Sequence, residues 1–302
     1  MNEFEFQNQN DAINEKQDQF TEFNTKNDSN LNTPRKDDYK HNNDQNIINN
    51  NLAIPTERLL QTKPQLQLTI ENSTSMPKGT MFIITPSGPL SSENKHRLPS
   101  SPTVFGYLED TENNNSIDFF LLPNILNSFT ASQEIIQKNT LGVFFKIEYD
   151  QSSMQYSLSD LGNGYGTFVQ LTKPFDIKEN TLINIGDSYL VFSFGENSDR
   201  DLNLKMYSGN YEYQPQSISG TTEKTITIGR DDKCDVVLND KMLSRVHCVL
   251  KRDKDEWKII DGKGDGGRSM NGTWVFAFDN MTIDDGMVFK SNSNLISCKY
   301  IY

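Results

Sequence analysis

Three short clusters hold the residues best able to do chemistry: Gly229-Arg230, Ser244-Arg245-Val246-His247 and Ser269-Met270-Asn271-Gly272-Thr273. Each stands at the end of a short apolar run. Together they offer two guanidinium groups, hydroxyls and loop N–H donors, which suits the holding of a small anion. Arginine presents a planar fork of donors matched to oxyanions. What a reaction would need is missing. His247 has no oriented acid and nucleophile to form a catalytic relay. The run Gly264-Asp265-Gly266-Gly267 is not a phosphate loop followed by Lys and a helix. Asp261 to Gly267 lacks the acidic ligand series and terminal Glu of a calcium loop and reads as a flexible hairpin approach. The Cys and His positions have no structural-zinc spacing. The expectation is therefore no catalytic residue, no metal and no cofactor.

Charge narrows the partners. The 302 residues carry a formal charge of −12, yet from Gly220 to Tyr302 there are 13 basic and 13 acidic residues, so the excess lies wholly upstream. Neither half has the positive field that attracts nucleic acid or an anionic membrane, and no aromatic stacking platform is patterned with the basic residues. A neutral module can still grip one anionic group through local donors. Cys234, Cys248 and Cys298 form no close pair, which points to a reducing compartment and small core thiols. No basic leader precedes an apolar stretch, and no run approaches the roughly 18 apolar residues of a membrane span. An intracellular protein is expected, with nothing to separate nucleus from cytoplasm.

The elements that must position the clusters are strands. Residues 1–60 are dominated by Asn, Gln, Asp and Glu and read as a disordered tail, because too little apolar surface offsets the roughly 1–2 kcal/mol per residue that backbone ordering costs. From Leu66 onward come short runs rich in branched and aromatic residues, separated by turns and without a helix-length amphipathic stretch. A second series follows the polar link Gly195 to Asp201. The two series parallel one another: the run from Phe145 to Leu171 matches that from Cys248 to Phe276, each a strand, polar turn, strand, Gly-rich turn and then Gly-Thr-aromatic-Val. Gly186 and Gly286 are matched as glycines before the closing strands. The expected fold is all-β, two tandem β-sandwich domains at 66–195 and 200–302 after the tail, the product of a duplication.

Residues 200–302 resemble the forkhead-associated (FHA) family, whose sandwich belongs to the SMAD/FHA-like group. The resemblance rests on the three clusters in their order and spacing. It implies an eleven-stranded sandwich whose loops at one end grip a phosphothreonine peptide in extended conformation. A phosphate at neutral pH carries about −1.5 to −2 charges and three strong acceptors. By resemblance Arg230 and Ser244 contact the phosphate, Arg245 occupies a position that often does so, and Asn271 hydrogen-bonds the peptide backbone, with Ser269 and Met270 on the peptide-facing loop. Met270 departs from the family's polar residue and brings bulk without a donor. Gly229, His247, Gly272 and Thr273 are supports, with His247 bracing the loops. Asn-Gly is also a favoured two-residue hairpin turn, because both residues tolerate positive φ, so that reading of Asn271-Gly272 stands beside the binding one.

Over 66–195 the same plan fits poorly. Gly106 matches the first glycine, Tyr107 replaces the arginine, Ser132 and Gln133 are laid over Ser244 and Arg245, Ile135 replaces the histidine, and Tyr165 precedes a retained Gly166-Thr167. This half is expected to bind no phosphate and to serve packing or self-association. The partner class is a phosphothreonine-containing protein or peptide. Contact with the chain's own tail, through Thr25 or Thr33 if phosphorylated, is a further possibility that the sequence allows. The competing reading is a phosphate-independent scaffold or dimerisation protein.

Overall fold

Strand-length runs bounded by turn residues become strands in the computed structural model, which describes residues 63–90, 101–107, 117–121, 142–195, 198–209, 211–220, 225–254 and 256–302. The tail, with Thr25 and Thr33, lies outside them. The strands of the first half are β1 (Gln65–Asn72), β2 (Met81–Thr85), β3 (Gly88–Pro89), β4 (Thr103–Tyr107), β5 (Phe119–Phe120), β6 (Gly142–Asp150), β7 (Gln155–Asp160), β8 (Thr167–Gln170), β9 (Phe175–Asp176), β10 (Leu182–Ile185) and β11 (Ser188–Gly195). The second half supplies β12 (Ser198–Ser208), β13 (Tyr211–Glu212), β14 (Gln216–Ile218), β15 (Ile226–Gly229), β16 (Val236–Val237), β17 (Cys248–Asp253), β18 (Glu256–Asp261), β19 (Thr273–Phe276), β20 (Met281–Thr282), β21 (Val288–Ser291) and β22 (Asn294–Ile301). Period-two patterning is clear in β1, where Leu66, Leu68 and Ile70 are buried and their neighbours half-buried. The architecture is all-β.

Strand order reveals what the linear reading does not. The ladders run across the expected boundary between residues 195 and 200. One twelve-stranded sheet has the order β13-β12-β11-β10-β19-β8-β21-β22-β1-β2-β3, with β14 also on β12. Two five-stranded sheets have the orders β16-β15-β17-β18-β9 and β20-β7-β6-β4-β5. Thus β9, β10 and β11 of the first half pair with β18, β19 and β12 of the second. In return β20, β21 and β22 pair with β7, β8 and β1. The closing strands of the two halves are exchanged.

The cause is local. Gly195 pairs with Ser198 and β11 runs antiparallel to β12, so strand pairing spans the expected interdomain link. A connection this short forces antiparallel neighbours. With β11 committed to β12, β1 takes β22 instead, along a register from Gln65↔Ile301 to Asn72↔Leu295. Side chains follow the exchange. Phe289 of β21 meets Phe145 of β6 edge-on at 5.2 Å, and Tyr300 of β22 lies 5.9 Å from Tyr156 of β7. The Tyr156 hydroxyl in turn donates to the carbonyl of Pro64 at 2.9 Å.

The duplication appears as an approximate two-fold relation about the β8–β19 pair, where Val169 faces Val275. Ile183 flanks Val275 on one side as Phe289 flanks Val169 on the other. This register corrects one match. Gly186 (φ 55°), in the β10–β11 turn, corresponds to Asn292 (φ 52°), whereas Gly286 (φ 78°) corresponds to Asn180 (φ 62°) one turn earlier. Asn tolerates the left-handed region, so glycine matching alone misled. On the other face of the junction, Lys290 Nζ lies 4.9 Å from the Trp274 ring centroid and 5.6 Å from that of Phe168, and donates to Asn184 Oδ1. All three cysteines are buried and free. Among the described residues no helix is long and apolar enough to cross a membrane.

Ile183, Ile185, Leu190 and Phe192 are fully buried in the exchanged strands β10 and β11. Each such side chain is worth roughly 1.5–3 kcal/mol, more in sum than the typical net stability of a small domain's margin allows it to lose. A fragment of residues 200–302 is therefore expected to show no cooperative thermal unfolding by circular dichroism, whereas residues 63–302 unfold cooperatively.

Candidate functional site

Four successive carbonyls of the loop between β16 and β17 organise the site. The Met242 carbonyl accepts from Asn271 Nδ2 at 2.7 Å, that of Leu243 from Arg230 Nε at 2.8 Å, that of Ser244 from the Arg230 N–H at 3.2 Å, and that of Arg245 from the Asp231 N–H at 3.1 Å. Arg230, at the end of β15, is thereby fixed through its backbone and its Nε. Its two terminal nitrogens have no hydrogen bond among the described residues, and the side chain is exposed. Arg245 is exposed beside it. Gly229 makes this approach feasible, since a Cβ there would stand 2.1 Å from the Arg245 carbonyl oxygen.

His247 joins this loop to the next. The Ser244 N–H donates to Nδ1 at 3.1 Å, so Nδ1 is the acceptor and Nε2 carries the proton, which it donates to the Gly272 carbonyl at 3.0 Å. The ring is fully buried, and burial holds its pKa below the usual value. Ser244 Oγ accepts the Met270 N–H at 3.0 Å, which leaves its own proton to donate outward. Met270 projects into solvent at 88% exposure, and Met242 across the loop pair is also exposed.

The hairpin reading of Asn271-Gly272 does not hold. Only Gly272 has positive φ (76°), and β18 and β19 lie in different sheets. Asn271 instead spans the two loops through Met242, while its carbonyl accepts the Trp274 Nε1–H at 2.8 Å. Ser269 also differs from its expected place on the peptide surface. It is 9% exposed, and both its hydroxyl and its N–H donate to Asp261, at 2.6 Å and 3.2 Å. Thr273 Oγ1 donates to the same carboxylate at 2.7 Å. The structure thus brings Arg230, Ser244, Asn271 and Met270 together, sets Arg245 beside them and turns Ser269 inward. Gly229, His247, Gly272 and Thr273 brace.

Asp261 was missed by sequence reasoning, which treated its segment as a flexible turn. The duplication carried a signal, because Asp160 occupies the matching place: Asp261 pairs with Cys248 as Asp160 pairs with Phe145. Burial pushes the Asp160 carboxyl up to about 6. Asp240 was missed as well, since two of its three carboxylate donors, the Asp187 N–H and the Ser188 hydroxyl, come from the other half.

The matching site in the first half is differently furnished. Gly106 approaches the Gly142 carbonyl as Gly229 approaches that of Arg245, with a Cβ-to-oxygen distance of 2.4 Å. Tyr107 follows Gly106 where Arg230 follows Gly229. The Leu161 N–H donates to the Phe144 carbonyl as the Gly262 N–H donates to that of His247, so buried Phe144 takes the histidine's place. Ser132, Gln133 and Ile135 themselves lie outside the described residues. Tyr165 stands where Asn271 does, before Gly166 (φ 79°).

An FHA domain family model matches residues 226–290, an interval that runs from β15 into the exchanged β21. Among solved structures, the chain is similar to FHA-1 of Mycobacterium tuberculosis Rv1747 at 19% identity, covering 30% of this chain and 92% of that one with a TM-score of 0.18. It is also similar to the Slr1951 protein from Synechocystis sp. at 24% identity, covering 40% and 95% with a TM-score of 0.19. Comparison with curated proteins gave no match. An FHA domain is thereby identified over residues 226–290, within the second half of the chain. Among the described residues no group of three or more His, Cys, Asp or Glu is placed to hold a metal ion.

The neutral His247 brace gives a pH dependence with a definite sign. Its folded pKa lies below the unfolded value of about 6.5, so its contribution is complete above that pH and is lost as pH falls below it, when the unfolded chain takes the proton first. Asp160 opposes this, because its raised folded pKa stabilises the fold as pH falls through about 6. Urea unfolding of wild type and His247→Gln between pH 7.5 and 5 isolates the histidine. The stability difference between the two proteins is expected to shrink as the pH is lowered.

Proposed function

We propose that this protein reads phosphothreonine in a partner protein or peptide without acting on it chemically, through the loops of its second half. The carrying observation is the fixing of Arg230, Ser244 and Asn271 by one run of loop carbonyls and one buried histidine. The phosphate lies against the free ends of the Arg230 guanidinium and the outward hydroxyl of Ser244, with Arg245 adding a second cation. Charge-assisted bonds of this kind are short and strong, and a preformed donor set spares the ligand part of the ordering cost. Asn271 keeps its Oδ1 and a second amide hydrogen for the peptide backbone. Ser269 acts through Asp261, holding the loop and not the ligand. Specificity for threonine over serine is carried by the FHA resemblance.

The first half serves a phosphate-independent role in this reading. Without an arginine, buried phosphate oxygens would lack their main charged donor, and Tyr107 and Tyr165 supply aromatic surface in place of charge, over a buried Phe144. Its contribution is structural completion of the reader, with self-association as the alternative.

Calorimetric titration of the full chain with matched phosphothreonine, phosphoserine and unmodified peptides tests the proposal. Phosphothreonine is expected to bind best. Removal of the guanidinium in Arg230→Ala forfeits about 1.5–3 kcal/mol per charge-assisted bond, a weakening of roughly 10- to 100-fold. Because the first half is expected to bind no phosphate, no residual tight site should survive that single change. Equal affinity for phosphorylated and unmodified peptides, or indifference to Arg230→Ala, would favour the scaffold reading.

A further inference from the structure

The loop that presents Arg230 and Asn271 is fastened to a turn supplied by the other half of the chain. Asp240, in the β16–β17 loop, is 5% exposed, yet its carboxylate is fully engaged. Oδ2 accepts the Asp187 N–H and the Ser188 hydroxyl, each at 2.8 Å, and Oδ1 accepts the Met242 N–H at 2.8 Å. The Asp240 carbonyl accepts the Leu243 N–H at 3.2 Å. Asp187 lies in the β10–β11 turn and Ser188 opens β11, both within the exchanged segment. Ser188 is fully buried. Gly186, at φ 55°, lets the turn come so close that a Cβ would lie 2.8 Å from Asp240 Oδ2 and 2.9 Å from Met242 Cβ.

We infer that the Gly186-Asp187-Ser188 turn is a positioning element of the phosphopeptide site, acting through Asp240 on the carbonyls of Met242 and Leu243 that hold Asn271 and Arg230. The inference rests on the phosphopeptide reading of that site. Its physical basis is the cost of leaving a buried carboxylate short of donors. With three donors in place, Asp240 holds one rotamer and the loop one shape. Remove the Ser188 hydroxyl, and the carboxylate turns toward water or another donor, carrying Met242 with it. The relation is reciprocal. The second half's β21–β22 turn reaches the loop end of the first half at the β7–β8 loop, where Asn292 Oδ1 accepts the Tyr165 N–H at 2.9 Å. Each half completes the loop end of the other, so the reader is built from both copies of the duplication.

Two measurements on the full chain test this with Ser188→Ala. Amide hydrogen exchange at Met242 and Leu243 is expected to quicken about 5- to 20-fold while the β17–β18 ladder stays protected. Phosphothreonine peptide affinity, measured well below the unfolding temperature, is expected to fall about 5- to 10-fold. Ser188→Thr, which keeps the hydroxyl, restores both. Unchanged exchange at Met242 and Leu243 overturns the anchor whatever any peptide does. A loosened loop with unaltered affinity overturns its part in binding. A wild-type chain blind to phosphorylation defeats the phosphopeptide reading and the binding claim with it, and the exchange result still decides the anchor. If Ser188→Ala does not fold, Asp240→Asn, which keeps shape and one accepting oxygen, supplies the same comparison.

Discussion

Everything at the loop end of the second half depends on backbone carbonyls finding donors. A loop that turns four consecutive carbonyls, Met242 to Arg245, away from regular strand pairing must satisfy each by other means. Two of those means are the side chains of Arg230 and Asn271. The same bonds that keep the loop from costing stability therefore aim the two residues proposed to face a ligand. Recognition and folding are not separable here, and the glycines follow from the same constraint: Gly229 exists because a Cβ would occupy the Arg245 carbonyl.

His247 and Asp261 extend this logic to the neighbouring loop. One neutral imidazole accepts on one side and donates on the other, which ties Ser244 to Gly272. One carboxylate gathers Ser269 and Thr273. Where the first half keeps only the backbone geometry, as at Gly106 and Phe144, the polar ties are replaced by apolar packing. A duplicated scaffold can thus preserve its strand order while its loop end loses the means of holding charge.

Strand content, the three clusters and the repeat were legible in the sequence, because period-two patterning and turn residues are local signals. The partners of the closing strands were not. Hydrophobic alternation says that β11 and β22 are strands, but either could pair with β1 or β12 on pattern alone. The short separation of Gly195 and Ser198, which pair with one another, decided it. The histidine's counterpart was within reach, because the match of Phe145 to Cys248 already places Phe144 over His247. Ser269 illustrates a different limit, since a serine beside an Asn-Gly can face outward or inward, and the choice was made by Asp261 eight residues away. The anchoring role of Asp240 was beyond reach, because the two donors that tie it down from outside its own loop, at Asp187 and Ser188, lie on the far side of the boundary that the linear reading drew.

The pairing of β1 with β22 also orders events in time. Ser297 donates to Glu71 across 226 positions of chain. During synthesis β1 emerges early and waits with one edge bare until nearly all the described chain has left the ribosome, while β11 and β12 can zip at once as a local hairpin. Long-range closure of this kind is slow, and an edge left open is an invitation to mispairing between nascent copies. The arrangement that lets two ancestral repeats share their loop ends thereby lengthens the interval in which the newborn protein needs shelter.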